Sequence, residues 1–333
     1  MPDDIKGPGP IAVRTRFGIS MLPAIVYGLL LYLLIWSAPV GGGVSFVTGL
    51  FLLPMGIAAV VSAFADPRAT ATEWRHIRNG WLVIAILLVL SAVVMGEGMV
   101  CIVIATPMLG AGSAVGSATT LWVLRRLRRP SATGLVMVLP LLGLPVEQAL
   151  VFPEKQSEVR TVIEIDAPVK TVWRNTIEIR NVEASELPFT FSHGIVGVPR
   201  PENARLEGRG AGAVRHLRWT QGVRFQEVVT AWEENRYLAW DFRFGPESIP
   251  AAIDAHIDVD SSYLKLATGQ YLLEPLPGDR TRLTLATQYR IATPMNAYCD
   301  FWGWVFLRDF HGAVLQVIRD RAERTVLAGN RSG

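Results

Sequence analysis

Between Phe17 and Phe152 apolar runs follow one another, with charge confined to short connectors. From Pro153 onward the pattern changes to short alternating runs separated by Gly, Pro, Asn and Asp turn signals. The first stretch predicts a membrane bundle, because a helix needs roughly 20 apolar residues to cross the hydrocarbon core. Five segments reach or approach that length: Phe17–Ser37, Val44–Ala65, Trp81–Met95, Ile102–Val123 and Ala132–Phe152. The third is short and runs into Gly96-Glu97-Gly98, and the fourth contains Pro107 and several glycines. That middle pair also fits one crossing plus a re-entrant segment. The expected organisation is a tail at 1–16, a membrane region at 17–152, a linker at 153–158, a folded domain at 159–327 and a tail at 328–333.

Basic residues orient the bundle. Lys6, Arg14 and Arg16 precede the first helix, Arg68, Arg75 and Arg78 lie between the second and third, and Arg125, Arg126, Arg128 and Arg129 between the fourth and fifth. The alternate connectors hold Gly41-Gly42-Gly43 and the Glu97 turn, without Lys or Arg. Arginine thus falls on one side, which should be cytoplasmic. Five crossings then put the carboxy-terminal domain outside an inner or plasma membrane; four or six would put it in the cytoplasm. Half of the residues are hydrophobic and the mean hydropathy is +0.31, in line with a membrane region. A cleaved signal peptide is a poor reading of the start, since one long apolar run follows another without a small-residue cleavage site. Net charge is only +3, and the basic residues beside the apolar runs argue against a nucleic-acid partner. Glu97 and Glu147 fall near helix ends, where they are expected to reach water. Gly110, Gly112 and Gly116, with Ala111 and Ala114, should permit close helix packing. The bundle reads as an anchor and a candidate surface for homo-oligomerisation.

The second half reads as strand, helix, antiparallel strands and a long helix. Val159–Ile165 alternates as a strand, and Val169–Asn175 follows Ala167-Pro168 as a helix. Strand candidates follow at Ala204–Gly208, Gly212–Thr220, Val223–Trp232, Tyr237–Phe244, Tyr263–Leu273 and Arg282–Ile291. Gln221-Gly222, Glu234-Asn235 and Pro277-Gly278-Asp279 mark reversals, and a helix over roughly Met295–Leu327 closes the chain.

Specific runs carry a resemblance. "IEIDAPVKTVW" is similar to the first strand and helix of the START-like, or SRPBCC, superfamily. "EGRGAGAVRHLRW" and "FQEVVTAWEENRYLAWDF" resemble its central hairpins, and "YLLEPLPGDRTRLTLATQYRI" with "NAYCDFWGWVFLRDFHGAVLQVIRDRAER" resembles its last hairpin and helix in bacterial members with an amino-terminal membrane region. The resemblance covers Val159–Arg324. It implies a helix-grip α+β domain, a curved antiparallel sheet around the final helix enclosing an apolar cavity, behind an α-helical transmembrane bundle. It further implies a hydrophobic ligand such as a lipid. Because the superfamily spans carriers, receptors, cyclases and oxygenase subunits, a cyclase- or hydratase-type enzyme and a sensor or assembly subunit stay open.

Strand parity puts Leu238, Trp240, Phe242 and Phe244 on one face, and Leu283, Leu285, Tyr289 and Ile291 on one face of the last strand, with Arg290 turned away. The final helix spreads Tyr298, Phe301, Trp302, Trp304, Val305 and Phe306 broadly around its axis, then narrows to Val314, Val317, Ile318 and Ala322. Candidate ligand-binding residues are therefore Trp240, Phe242, Leu285, Tyr289, Tyr298, Trp302, Val305 and Asp309, with Trp219 placed away from the final helix. Asp309 falls on the aromatic face of that helix, as a lock onto the sheet, a polar anchor for a ligand, or an exposed group. No nucleophile elbow, Rossmann fingerprint or P-loop occurs. His193, His216, His256 and His311 are too dispersed for a metal site, and Cys101 and Cys299 form no metal spacing. No cofactor is expected. If the domain catalyses, His256, Asp309 and Arg290 are the candidates.

The arginine asymmetry makes one direct prediction. A single cysteine at Ser332 should react with an impermeant thiol reagent in intact cells once any outer membrane is permeable. Labelling only after lysis of the inner membrane would reverse the orientation.

Overall fold

The computed structural model describes residues 10–37, 45–127, 133–250, 253 and 259–331. The chain falls into two compact units, with the main boundary between Phe152 and Pro153. In the first unit α1 spans Pro10–Ser37, α2 Leu53–Ala65, α3 Glu73–Leu90, α4 Met99–Leu127 and α5 Thr133–Ala149. Wider π-type turns lead into α2 at Thr48–Leu52 and extend α3 to Met95. Four stretches, Phe17–Ile35, Thr48–Ala65, Glu73–Val94 and Met99–Leu127, are long and apolar enough to cross a membrane, whereas α5 is a shorter apolar helix. The third and fourth segments form two continuous helices, with Pro107 inside α4.

This unit does not keep apolar residues to its interior as a water-soluble bundle does. The outer helices turn Ile19, Leu22, Leu30, Val89, Trp122, Leu135 and Val146 outward, while Ser62, Ser113, Ser117 and Thr120 are fully buried. Apolar outside and small or polar inside suits lipid surroundings, where tight packing of small residues replaces a hydrophobic drive between helices. α2 sits at the centre, buried at almost every position from Leu53 to Ser62. Two expected glycines hold it there. A Cβ at Gly116 would lie 2.2 Å from the Met55 carbonyl oxygen, and one at Gly112 would lie 2.5 Å from that of Phe51. Gly110, by contrast, has only the Trp81 indole nitrogen within reach at 3.9 Å.

Of the two carboxylates expected at water, Glu147 behaves otherwise, whereas Glu97 is half-exposed. Glu147 is buried and accepts the Val47 N–H at 2.7 Å and the Thr48 N–H at 2.8 Å. It thereby satisfies amide groups that open a helix and have no partner within it. Glu97 accepts the Tyr32 hydroxyl. After α2, Asp66 accepts the Ala71 N–H at 2.7 Å and faces His76 Nε2 at 3.3 Å. Arg125 donates to the Ala71 carbonyl at 3.0 Å, so one of the orienting arginines also pins this connector.

In the second unit β1 spans Lys155–Ile165, α6 Val169–Ile177, β2 Pro201–Glu207, β3 Val214–Trp219, β4 Arg224–Glu233, β5 Tyr237–Arg243, β6 Leu264–Leu276, β7 Arg280–Ile291 and α7 Asn296–Arg331. The seven strands form one antiparallel sheet in the order β1-β7-β6-β5-β4-β3-β2. Lys155–Glu158, expected as linker, are already strand, paired to Ile291–Gln288. The reversals carry the left-handed residues such turns need: Gln221 and Gly222, Asn235, and Gly278 with Asp279. α7 packs against β1, β7 and α6. Its Leu315, Val317, Ile318 and Ala322 join Ile165, Val172, Trp173, Leu238, Leu273 and Leu283 in the main core. A curved antiparallel sheet gripping a long final helix is the helix-grip arrangement.

The α2–α4 approach is directly testable. Gly116→Val should abolish or strongly reduce accumulation of folded, extractable protein, since backbone at 2.2 Å cannot give way. Gly110→Val should accumulate normally. Equal behaviour of the two variants in size-exclusion profiles would show that this seam does not hold the bundle.

Candidate functional site

Side chains on the inward face of the sheet pack differently at its two ends. Around α6 and the second half of α7 they are sealed, with Ile165, Leu238, Leu283 and Ile318 at 0% exposure. Toward β3–β5, Trp219, Phe225, Phe242 and Phe244 point inward yet stay half-buried, as do Phe310 and Trp302 on α7. Their rings form a continuous chain. Trp302 stacks on Phe306 at 5.9 Å, Phe306 meets Phe310 at 6.4 Å and Phe310 meets Trp219 edge-on at 5.4 Å. Trp219 then meets Phe225 at 5.9 Å, which stacks on Phe244 at 5.1 Å, and Phe242 leads to Trp240 and Tyr271. Trp219 therefore touches the final helix, contrary to expectation, because the sheet's curvature swings the end of β3 onto it.

Among these rings lies a buried ion pair that sequence reading missed. Arg215 on β3 and Glu227 on β4 are cross-strand partners, and Arg215 Nη1 is 2.8 Å from Glu227 Oε2 with side-chain exposures of 3% and 6%. The guanidinium lies 5.1 Å from the Trp240 ring centre and 5.8 Å from that of Tyr271. The charges are close, but the pair is not aligned as a hydrogen bond, and Arg215 Nε and Trp240 Nε1 are also buried without an acceptor. Burial pushes the Glu227 carboxyl above the usual range, against the pull of Arg215. Burial likewise carries the Tyr271 hydroxyl to about 12. Buried polar atoms with open bonding capacity are rare and call for a partner. The available signal was parity: Arg215 shares a strand face with Leu217 and Trp219, and Glu227 with Phe225 and Val229.

Two further polar groups hold α7. His311 is buried between strands, its Nδ1 3.2 Å from Thr161 Oγ1 on β1 and its Nε2 2.8 Å from Thr287 Oγ1 on β7. Burial carries its pKa down to about 4. This histidine, rather than Asp309, ties the helix to the sheet. Asp309 Oδ2 instead accepts the Ser192 N–H and hydroxyl, both at 2.8 Å. It fixes the turn Phe191–Val196, which shows Ile195 to solvent beside an exposed Phe189. His193 in that turn stacks on Phe310 at 5.3 Å, and burial lowers its pKa.

The eight expected ligand-binding residues fall into separate groups. Trp240 and Phe242 adjoin one another on β5 at 6.2 Å, and Tyr298 and Trp302 on α7 at 6.4 Å. Val305 is half-buried on α7. Leu285 belongs to the sealed core. Tyr289 is buried, and its hydroxyl donates to Asp300 Oδ1 at 2.7 Å. The link between the strand and helix groups runs through Trp219, Phe225 and Phe310. Of the three acid–base candidates, Arg290 pairs outward with Glu154 at 3.2 Å, Asp309 holds Ser192, and His256 lies outside the described residues. Among the described residues no group of three or more His, Cys, Asp or Glu is arranged to hold a metal ion.

No protein-family model and no curated protein matches the chain. Solved structures resemble its carboxy-terminal half. The ZhuI aromatase/cyclase of Streptomyces sp. R1128 is 15% identical, the match covering 51% of this chain and 96% of that one, with a TM-score of 0.33. Norcoclaurine synthase of Thalictrum flavum, solved with dopamine and hydroxybenzaldehyde, is 14% identical over 53% and 88%, with a TM-score of 0.33. A protein of Nitrosospira multiformis is 18% identical over 50% and 96%, with a TM-score of 0.32. Such identities concern the fold alone, and the helix-grip description rests on the strand order and the place of α7.

His311 predicts a pH dependence. Its folded pKa lies below its unfolded value, so between about 6.5 and 4 the unfolded chain takes up a proton that the folded one refuses. Its contribution is fully present above pH 6.5 and is lost as pH falls toward 4, by about 3 kcal/mol. Unfolding of the second unit, followed by near-ultraviolet circular dichroism, should lose this component in His311→Gln. An unchanged pH profile would remove His311 from the account.

Proposed function

We propose that the protein is a membrane-anchored START-like module that binds a hydrophobic ligand, a lipid drawn from the adjacent leaflet, between its sheet and α7. The observation that carries this reading is the chain of inward-facing aromatic side chains left half-buried at one end of the grip. A filled core would bury them outright, as protein interiors pack to crystal density. Each half-open ring offers apolar area to a ligand at roughly 25 cal/mol per Å². The Arg215–Glu227–Trp240 cluster supports an orienting role. It offers the Arg215 Nε donor beside one carboxylate, with the pair's charge already balanced, which suits a neutral hydroxyl or carbonyl group. Trp240, Phe242, Trp302 and Val305 are the expected ligand-binding residues that best fit this site, with Trp219, Phe225 and Phe310 added.

The membrane anchor is supported by the apolar outer surface of residues 17–152. α5 has 17 residues, about 25 Å of helix, at the short end of what spans a bilayer. Counted as a fifth crossing, it puts the domain on the side opposite the arginines, outside the cytoplasm. A second reading, a cyclase- or hydratase-type enzyme, is favoured by Glu227, whose raised carboxyl pKa beside Tyr271 is that of a candidate general acid.

Native mass spectrometry of the gently extracted full-length protein should find a bound hydrophobic molecule. Arg215→Met with Glu227→Leu removes the pair without leaving a lone charge. It should keep the fold and weaken a polar-headed lipid by about ten- to a hundred-fold, as expected for bonds to charged groups, while an apolar fluorescent probe still binds. Conversion of the bound molecule would favour the enzyme. Absence of any saturable binding by the folded protein would remove the ligand-binding reading.

A further inference from the structure

The outer face of α7's first turns carries large side chains left in the open. Phe301 and Trp304 are 54% and 45% exposed, and the Arg308 guanidinium lies 5.0 Å over the Trp304 ring. No ion pair between Arg308 and a described carboxylate accompanies that contact. These residues recur at three- and four-residue spacing, so they share one helix face. Their neighbour Trp302 turns the other way, inward onto Phe306. A pocket of about 330 Å³ lined by Ser157, Tyr289, Asp300 and these two rings lies beside the same face.

Chain connectivity says what this face meets. α5 ends at Ala149. Four residues later the Pro153 carbonyl accepts the Asn296 side-chain N–H at 2.8 Å, at the first residue of α7. Lys155 Nζ is 2.6 Å from Asp300 Oδ2, and Arg290 holds Glu154 at 3.2 Å. Four extended residues reach at most about 14 Å. Phe301 follows Asn296 by little more than one helical turn, about 7.5 Å. With α5 embedded, Phe301 thus stays within about 22 Å of the end of α5, within reach of the headgroup layer. Indole and phenyl rings favour that depth, and a guanidinium there reaches lipid phosphates while its stem stays on apolar surface.

We propose that Phe301, Trp304 and Arg308 form a bilayer-docking face that seats the start of α7 in the interface, the two rings among the upper acyl chains and Arg308 on the phosphates. This rests on the membrane-anchored reading above. It adds a route, since a lipid leaving the leaflet beside Phe301 meets Trp302 and then the aromatic chain of the grip.

The test uses full-length protein in nanodiscs of phosphatidylcholine and phosphatidylglycerol, with Cys101→Ser and Cys299→Ser and one nitroxide at a time. Labels go at Phe301→Cys and Ala297→Cys on the proposed face, at Val162→Cys on the outer side of β1, and at Leu142→Cys on α5. The expected result is that nitroxides at 301 and 297 collide more with dissolved oxygen than with an aqueous nickel complex, at shallower depth than 142, while 162 reads aqueous. Arg308→Glu should then shift 301 toward water. Aqueous readings at 301 and 297 with a lipidic reading at 142 overturn the docking face and leave the anchor intact. An aqueous reading at 142 removes the membrane reading itself. Protection of 301 from both collision partners means that protein covers this face, the bundle or a second copy, and also overturns the proposal.

Discussion

One helix has to close the concave face of seven strands, and the rest of the domain follows from that mismatch. A helix with its side chains is about 10 Å across, while seven strands at about 4.8 Å spacing extend roughly 30 Å. α7 spends its contacts on β1 and β7, where the inward side chains are sealed. Toward the far ends of β3, β4 and β5 the inward positions meet α7 only through Trp219 on Phe310 and otherwise pack on one another through large rings. Gly269 belongs to this solution. A Cβ there would stand 2.4 Å from the Trp240 ring, so the tryptophan lies flat across its cross-strand neighbour. Rings can bridge a wide gap without filling it, which leaves apolar area at the one end of the grip that α7 does not cover.

The polar groups inside follow the same division. At the sealed end His311 stays neutral and meets two threonine oxygens, so its burial leaves no open bonding capacity. Asp309 meets an amide and a hydroxyl of one residue. At the open end Arg215 and Glu227 balance in charge but leave donors and an acceptor unused. A buried pair of this kind is weak evidence for stability, since well-packed apolar residues often do as well in its place. Its presence where the aromatic surface is also unfinished joins two local departures from an optimal core, the pattern expected of a site rather than of packing.

The sequence disclosed what depends on short-range periodicity. The strands alternate cleanly between turn residues with left-handed backbone, and α7 was legible from its apolar stripe, so these elements stand within a few residues of expectation. What remained hidden depends on partners distant in the chain. Glu147 lies at a helix end and reads as solvent-facing until Val47 and Thr48, a hundred residues earlier, supply the amides it caps. Trp219 ends a strand, and only the sheet's curvature puts it on Phe310. Arg215 and Glu227 had the right parity for the interior, but a charge at an inward position reads as an exception until the register makes the two neighbours. The breadth of the aromatic distribution on early α7 was legible, and the structure divides it between Trp302 and Phe306 inward and Phe301 and Trp304 outward.

That division gives the junction between the halves its meaning. Within the second unit, Pro153, Glu154 and Lys155 are each held by α7 or β7. Rotation of α7 about its own axis would break the Pro153–Asn296 and Lys155–Asp300 contacts, so the outward rings keep their bearing relative to the first residues of β1. Rings presented at constant orientation on the domain can enter an interface without the entropy loss of first being oriented. The same contacts fix the inward Trp302 one residue from Phe301, so the exposed aromatic face and the face that lines the grip are set by a single helix in a single orientation.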